Sequence, residues 1–407
     1  MLEKIKFKYL RFTSEHVLRV HGLDNKNYLS LIGNPNKLVR ELYADESIPQ
    51  RYQRVTNHRP DINTAVNSLS QLFSINVVKL RIELLQEWLQ PDTKYIKFNQ
   101  SITETFLVTT NSESTLNCDD NLLRACYILE HGDLELSINF LINISFGEKN
   151  EEYSPETRYR SLRVLQTIVD TVKLEDLTKR DYQTIRNYMR SLKYISKLEL
   201  LGIGYSINTF ETCPKYELVQ ILWKTQSYSS QTLIIIAQLC IDFEIYEYSL
   251  WDKNLTKLAK LLMINELKKI LLQIRNISII VNSNGYLLAW EVIISEPFRK
   301  MDVNPTSEQI EKCIEALQLL YSCPVVHGLN FTNIIKYCFQ CQQDHLALAL
   351  LPFLNDDDTI FVLEKIKYAS SITKVLKELN NLYSNGILCV AYCNKIIEGT
   401  LAKMNIQ

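Results

Sequence analysis

Between residues 77 and 89 the apolar side chains are Val77, Leu80, Leu84, Leu85, Trp88 and Leu89. Spacings of three and four residues place them on one stripe of a helix. Lys79, Arg81, Glu83 and Glu87 fall to the other faces. Asn76 stands where an N-cap belongs, and Pro91 stops the segment.

The same period recurs along most of the chain. Residues 119–130 and 133–144 read as two helices broken at His131-Gly132. Pro155 opens a helix to about residue 172, because proline fits a first helical turn. A longer helix is predicted over 181–201, and Pro214 opens another through Trp223 to Lys224. Further helices are predicted over 230–243, 249–263, 265–276, 285–294, 307–321, 330–341, 345–353, 359–368, 371–383 and 387–403. Two stretches break the pattern. Residues 94–117 are rich in Thr, Ser and Asn, and the β-branched run 101–110 suits extended chain. Residues 201–213 carry Gly202 and Gly204, with Pro214 just after, and are predicted as a loop.

These elements predict an all-α fold, an irregular α-solenoid of stacked antiparallel helix pairs. An N-terminal helical segment (1–93), a link (94–118) and a main helical array (119–407) are expected. One internal echo fits this build. Cys126-Tyr127 followed by 134–138 aligns at constant offset with Cys338-Phe339 followed by 346–350. Each side reads as a helix end, a short turn and a second helix. No strict repeat of the tetratricopeptide or ankyrin kind is present.

Composition agrees. Gly and Pro number only 10 each in 407 residues, too few for a turn-rich sheet protein. The formal charge of −1, from 45 basic and 46 acidic side chains, lacks the basic excess of a phosphate-backbone binder, so no nucleic-acid partner is expected. The most apolar run, 233–240, contains Gln238 and ends near Asp242. It is too short to cross a bilayer, and no membrane insertion is expected. The start of the chain has no apolar core of a secretory signal. The ten cysteines are therefore expected as reduced thiols.

Candidate chemistry is sparse. Cys338-x-x-Cys341-x-x-x-His345, with Cys323 and His327 nearby, has tempting zinc spacing, but a second ligand pair is missing. Core-facing thiols and a polar turn histidine are the plainer expectation. Cys389 and Cys393 share a helix face with Ile396 and Ile397, which predicts packing. Gly202-x-Gly204 lacks the third glycine and the strand of a dinucleotide loop. No P-loop, HExxH or GxSxG occurs. Asp356-Asp357-Asp358 suits the start of a helix. The group Arg51, Arg54 and Arg59, and the group Arg158, Arg160 and Arg163, are expected on solvated or protein-contacting faces. Trp88, Trp223, Trp251 and Trp290, with 22 tyrosines, are expected mainly in helix packing, some as interface anchors. No catalytic, cofactor-binding or metal-ligating residue is assigned, and no enzyme activity is expected.

One set of motifs carries a resemblance. The run Leu222-Trp223-Lys224, the polar link 225–230, Leu239-Cys240, then 242–246 and Leu250-Trp251 is similar to the C-terminal helical region of the Rough deal (Rod) family. Ser191-Leu192-Lys193-Tyr194, Cys323-Pro324-Val325, the stretch 337–350 and the helix 76–89 resemble it too. The resemblance spans roughly residues 40–355.

That resemblance implies a non-catalytic scaffold subunit of the Rod–Zwilch–Zeste-White (RZZ) complex, located at kinetochores in mitosis and in cytoplasm or nucleus otherwise. It implies the Zeste-White subunit, with or without Zwilch, as partner. Spindly, dynein and checkpoint proteins would follow indirectly. Family members begin with a β-propeller that has no counterpart here, which sets propeller-dependent contacts, notably with Zwilch, apart. The alternative is a helical scaffold of the Golgi-to-ER vesicle tether.

Overall fold

The computed structural model describes residues 2–48, 61–90, 119–130, 134–147, 153–367 and 372–384. All regular structure among them is helical, and the fold is all-α and solenoid-like. The predicted link 94–118, the Arg51 group, the Cys389/Cys393 pair and the predicted helix 387–403 lie outside the described residues. Two compact units are present, residues 1–213 and 214–407.

The first unit contains α1 (Leu2–Val20), α2 (Lys26–Ser30), α3 (Pro35–Tyr43), α4 (Ile62–Phe73), α5 (Val77–Leu89) and α6 (Asp120–Glu130). It continues with α7 (Leu134–Phe146), α8 (Pro155–Ile168), α9 (Thr171–Thr178), α10 (Tyr182–Leu200) and α11 (Ile207–Thr212). Helix α5 forms as its pattern predicts: the Asn76 side chain accepts from Lys79 N at 3.0 Å, and Leu80, Leu84, Leu85, Trp88 and Leu89 are buried. Arg81 departs from the expectation of an outer face. It is buried, because α3 and α4 supply hydroxyl and amide acceptors for its guanidinium.

Helix α8 is the hub of this unit and packs on α5, α6, α7, α9 and α10. It is buried nearly all round, from Thr157 to Leu165. The predicted helix 155–172 is in fact two. Val169 turns extended, and the Asp170 carboxylate accepts from Lys173 N at 2.8 Å to begin α9. Helix α11 occupies what was predicted as a loop. Ser206 caps it, and Phe210, wholly buried, stacks on Tyr194 at 6.1 Å. Tertiary burial thus overrides the two nearby glycines.

The second unit contains α12 (Lys215–Gln226), α13 (Ser230–Asp242), α14 (Tyr248–Lys260), α15 (Ile264–Ile274), α16 (Ser278–Val281) and α17 (Asn284–Arg299). It continues, among the described residues, with α18 (Ser307–Leu320), α19 (Thr332–Gln340), α20 (Asp344–Ala349), α21 (Asp356–Lys367) and α22 (Ile372–Ser384). Residues 232–240 of α13 are buried without interruption, so the most apolar run of the chain is a core helix. Helix α17 is the second hub and touches α14, α15, α16, α18 and α19. It extends one turn past the predicted end at Ile294, through Pro297. The lost amide hydrogen bond there is outweighed by burial of Phe298.

Helix ends explain how so few glycines suffice. Ser74, Glu244, Leu262 and Gln342 all adopt φ between 53° and 55°. Each is followed by an amide that bonds five residues back, as in Ile245 N to Cys240 O at 2.8 Å and Met263 N to Leu258 O at 3.2 Å. These are Schellman closures made by residues other than glycine. Both arms of the internal echo fall on helix pairs, α6–α7 and α19–α20, with Cys126 and Cys338 buried on the first helix.

Candidate functional site

The zinc-spaced residues do not converge. Among the described residues no three metal-capable side chains form a group. Cys338 is buried on α19, and its charged-form neighbours are Cys313 of α18, Cys341 and Asp344. Burial pushes the thiols of Cys313 up to about 12 and Cys323 up to about 11, and holds Cys338 well above the usual thiol range. These are packed thiols, not thiolates. His345 is not in a turn. It is buried in α20, its Nδ1 lying 3.1 Å from a Glu378 oxygen on α22. At Asp356–Asp358 the capping group is Asn355, whose Oδ1 accepts from Asp358 N at 2.7 Å, while the aspartates fill the first turn.

The arginines of α8 are not solvated either. Arg158 and Arg163 are 6% and 8% exposed. Arg158 Nε donates to Ser145 O at 3.1 Å, and its Nη2 donates to the Tyr188 hydroxyl. Arg160 makes a two-point pair with Asp119, Nη1 to Oδ2 at 2.7 Å and Nη2 to Oδ1 at 3.1 Å. It also donates to Trp88 O at 3.1 Å, closing the end of α5. Arg158 reaches α7 and α10, and Arg160 reaches Asp119 and the end of α5, which sequence alone does not reveal.

Trp88, Trp251 and Trp290 are buried; Trp223 is half-buried, with Lys257 Nζ 4.5 Å above its ring. Exposed aromatic and apolar groups gather on α1, where Leu2, Ile5, Tyr9 and Phe12 share one face at helical spacing. Tyr228, between α12 and α13, is 82% exposed.

A groove-like recess of about 660 Å³ lies within the first unit. Its lining includes Phe146, Arg158, Arg180, Tyr188, Glu199 and Tyr205. Phe146 and Tyr188 stack at 5.2 Å, and the Arg180 guanidinium lies 4.7 Å from the Phe146 ring centre and 6.0 Å from that of Tyr188. Lys179, at φ 53°, makes the turn that delivers Arg180 to this platform. Burial raises the Tyr188 phenol, and burial with the nearby Glu156 charge raises the Glu199 carboxyl. Of these residues only Arg158 stood out in the sequence. Phe146, Arg180 and Tyr188 belong to no motif and meet only through helix packing. The arrangement offers paired cations on an aromatic floor, a surface for recognising anionic groups.

Comparison with known proteins matches residues 1–391 to the Rough deal protein C-terminal region. Kinetochore-associated protein 1 of Homo sapiens is 28% identical over 356 residues, covering 86% of this chain and 16% of the human protein. Its Mus musculus counterpart is 26% identical over 373 residues, covering 87% of this chain and 16% of the mouse protein. The chain thus spans about 16% of the length of the curated relatives it matches. With a match running through both helical units, the chain belongs to the Rough deal C-terminal region family.

Proposed function

We propose that this chain is a non-catalytic scaffold of the kinetochore that acts through protein contacts. The observation that carries the reading is the family match over residues 1–391, together with relatives named as kinetochore-associated. The build is compatible with it. Helices packed on near neighbours present a large surface for the mass they contain, and such surfaces bind through a few anchored side chains. No helix among the described residues is long and apolar enough to cross a membrane.

In this reading the chain works within the RZZ assembly. Its direct partner is the Zeste-White subunit, with Zwilch where the longer relatives supply further domains. Spindly, dynein and checkpoint proteins are recruited through that assembly. The test is affinity purification of tagged protein from mitotic and from interphase cells, with mass spectrometry of what is retained. Mitosis-enriched Zeste-White subunit is the expected result. Recovery of Golgi-to-ER tethering subunits in interphase instead would transfer the chain to vesicle tethering.

A further inference from the structure

Helix α10 directs Tyr188, Ile195 and Glu199 into the groove. Eleven residues of helix separate the first and last of these, ~16 Å. The groove is therefore a trough along α10, not a round cavity, and it matches about five residues of extended peptide. Its ends differ in charge. Arg158 and Arg180 meet Tyr188 at one end, and Glu199 stands at the other. Tyr205, Ser206, Ile207 and Asn208 form part of the wall.

Arg158 is 6% exposed and committed by Nε and Nη2 to Ser145 and Tyr188. Arg180 is exposed and makes only ring contacts, with Phe146 and Tyr188. Its guanidinium, 4.7 Å and 6.0 Å from the two ring centres, offers planar paired N–H donors that suit two-point binding of a carboxylate or phosphoryl group. The two ring contacts lower the cost of ordering this exposed arginine on binding.

We infer that this trough receives an extended segment of a partner protein, about five residues long, with an anionic side chain seated on Arg180. Glu199 at the far end accepts a peptide N–H or a basic side chain, and so sets the direction in which the segment lies. The inference deepens the scaffold reading and rests on it for the class of ligand. The peptide measurement below does not depend on which cellular complex the chain joins, so the two can fail separately.

The test is selection of random linear peptides displayed on phage against the full chain, with Arg180→Ala as the counter-target. Recovered peptides are expected to carry Asp or Glu. Synthetic copies should bind Arg180→Ala about tenfold more weakly or worse, and Arg180→Lys should fall between, since it keeps charge but loses the planar fork. Because Arg180 is exposed, unchanged thermal melting of both variants separates lost binding from lost folding. Replacing the acidic residue by phosphoserine distinguishes the two anion sources. Tighter binding assigns a phosphorylated segment, and weaker binding assigns a plain acidic one. The proposal is overturned by equal binding of a serine version, by equal binding to Arg180→Ala, or by no enrichment over an unrelated helical protein.

Discussion

Arg81 Nε donates to the hydroxyl of Tyr43 at 2.9 Å inside the first unit, tying α5 to α3 across 38 residues of sequence. The same guanidinium lies 5.8 Å from the Tyr43 ring centre and donates to Asn67 Oδ1 at 3.0 Å. Tyr43 in turn donates to Asn63 Oδ1 at 3.0 Å, and Asn63 Nδ2 donates to Tyr127 O on α6 at 3.0 Å. Four helices are thereby joined through one buried polar chain, in which each member depends on the others for its partners.

Substituting Arg81 by Met should destabilise the protein by about 2–3 kcal/mol, because it leaves the Tyr43 and Asn67 oxygens short of a donor while keeping most of the volume. Urea unfolding measures it. Arg81→Met with Tyr43→Phe should cost less than the sum of the two singles, and full additivity would refute the coupling.

Alkaline stability should report the same site. Burial pushes Tyr43 up to about 12, against the Arg81 charge, which lowers it. The folded chain therefore keeps this proton through a range where the unfolded chain releases it. The stabilisation is complete below about pH 10 and is lost as pH rises through the folded value. Tyr127, also raised by burial and by Asp61, acts in the same direction. Melting temperature should fall across that window, and a fraction of the tyrosinate absorbance, that of the buried phenols, should appear only together with unfolding. Phenolate formation in the still-folded protein at pH 10–11 by all tyrosines alike would contradict it.

At Gly285 a side chain has no room. A Cβ would stand 2.2 Å from the Asp252 carbonyl oxygen, where α17 crosses α14. Gly285 N also donates to Asp252 Oδ1 at 2.7 Å, so α14 caps the start of α17. Gly285→Ala should cost about 3 kcal/mol, since backbone, not a flexible side chain, must move. Gly328→Ala meets only Leu287 Cδ1 at 3.3 Å and serves as the near-neutral control in the same melting series.

Leu262 is left-handed at φ 53° and 45% exposed. Glycine there removes a strain of about 1–2 kcal/mol and adds unfolded-chain entropy worth about 0.4–1 kcal/mol. Leu262→Gly should therefore stabilise the second unit by up to about 1 kcal/mol. A lower denaturant midpoint than that of the parent would sink the strain argument.

The 3.6-residue period is local information, and it was enough to locate most helices, the Asn76 cap, the core run of α13 and the all-α class. The family resemblance was legible for the same reason: it rests on contiguous runs such as Leu222-Trp223-Lys224. Arginine burial was not legible. Arg81 and Arg158 sit in helical patterns as polar positions, and only helices folded in from elsewhere supply the hydroxyls and carbonyls that make their burial tolerable. The groove was hidden likewise, since Phe146, Arg180 and Tyr188 lie on separate elements and carry no periodic signal. Periodicity tells which residues avoid water. Which polar groups find partners inside depends on how the helices cross, and that is decided only when the whole unit packs.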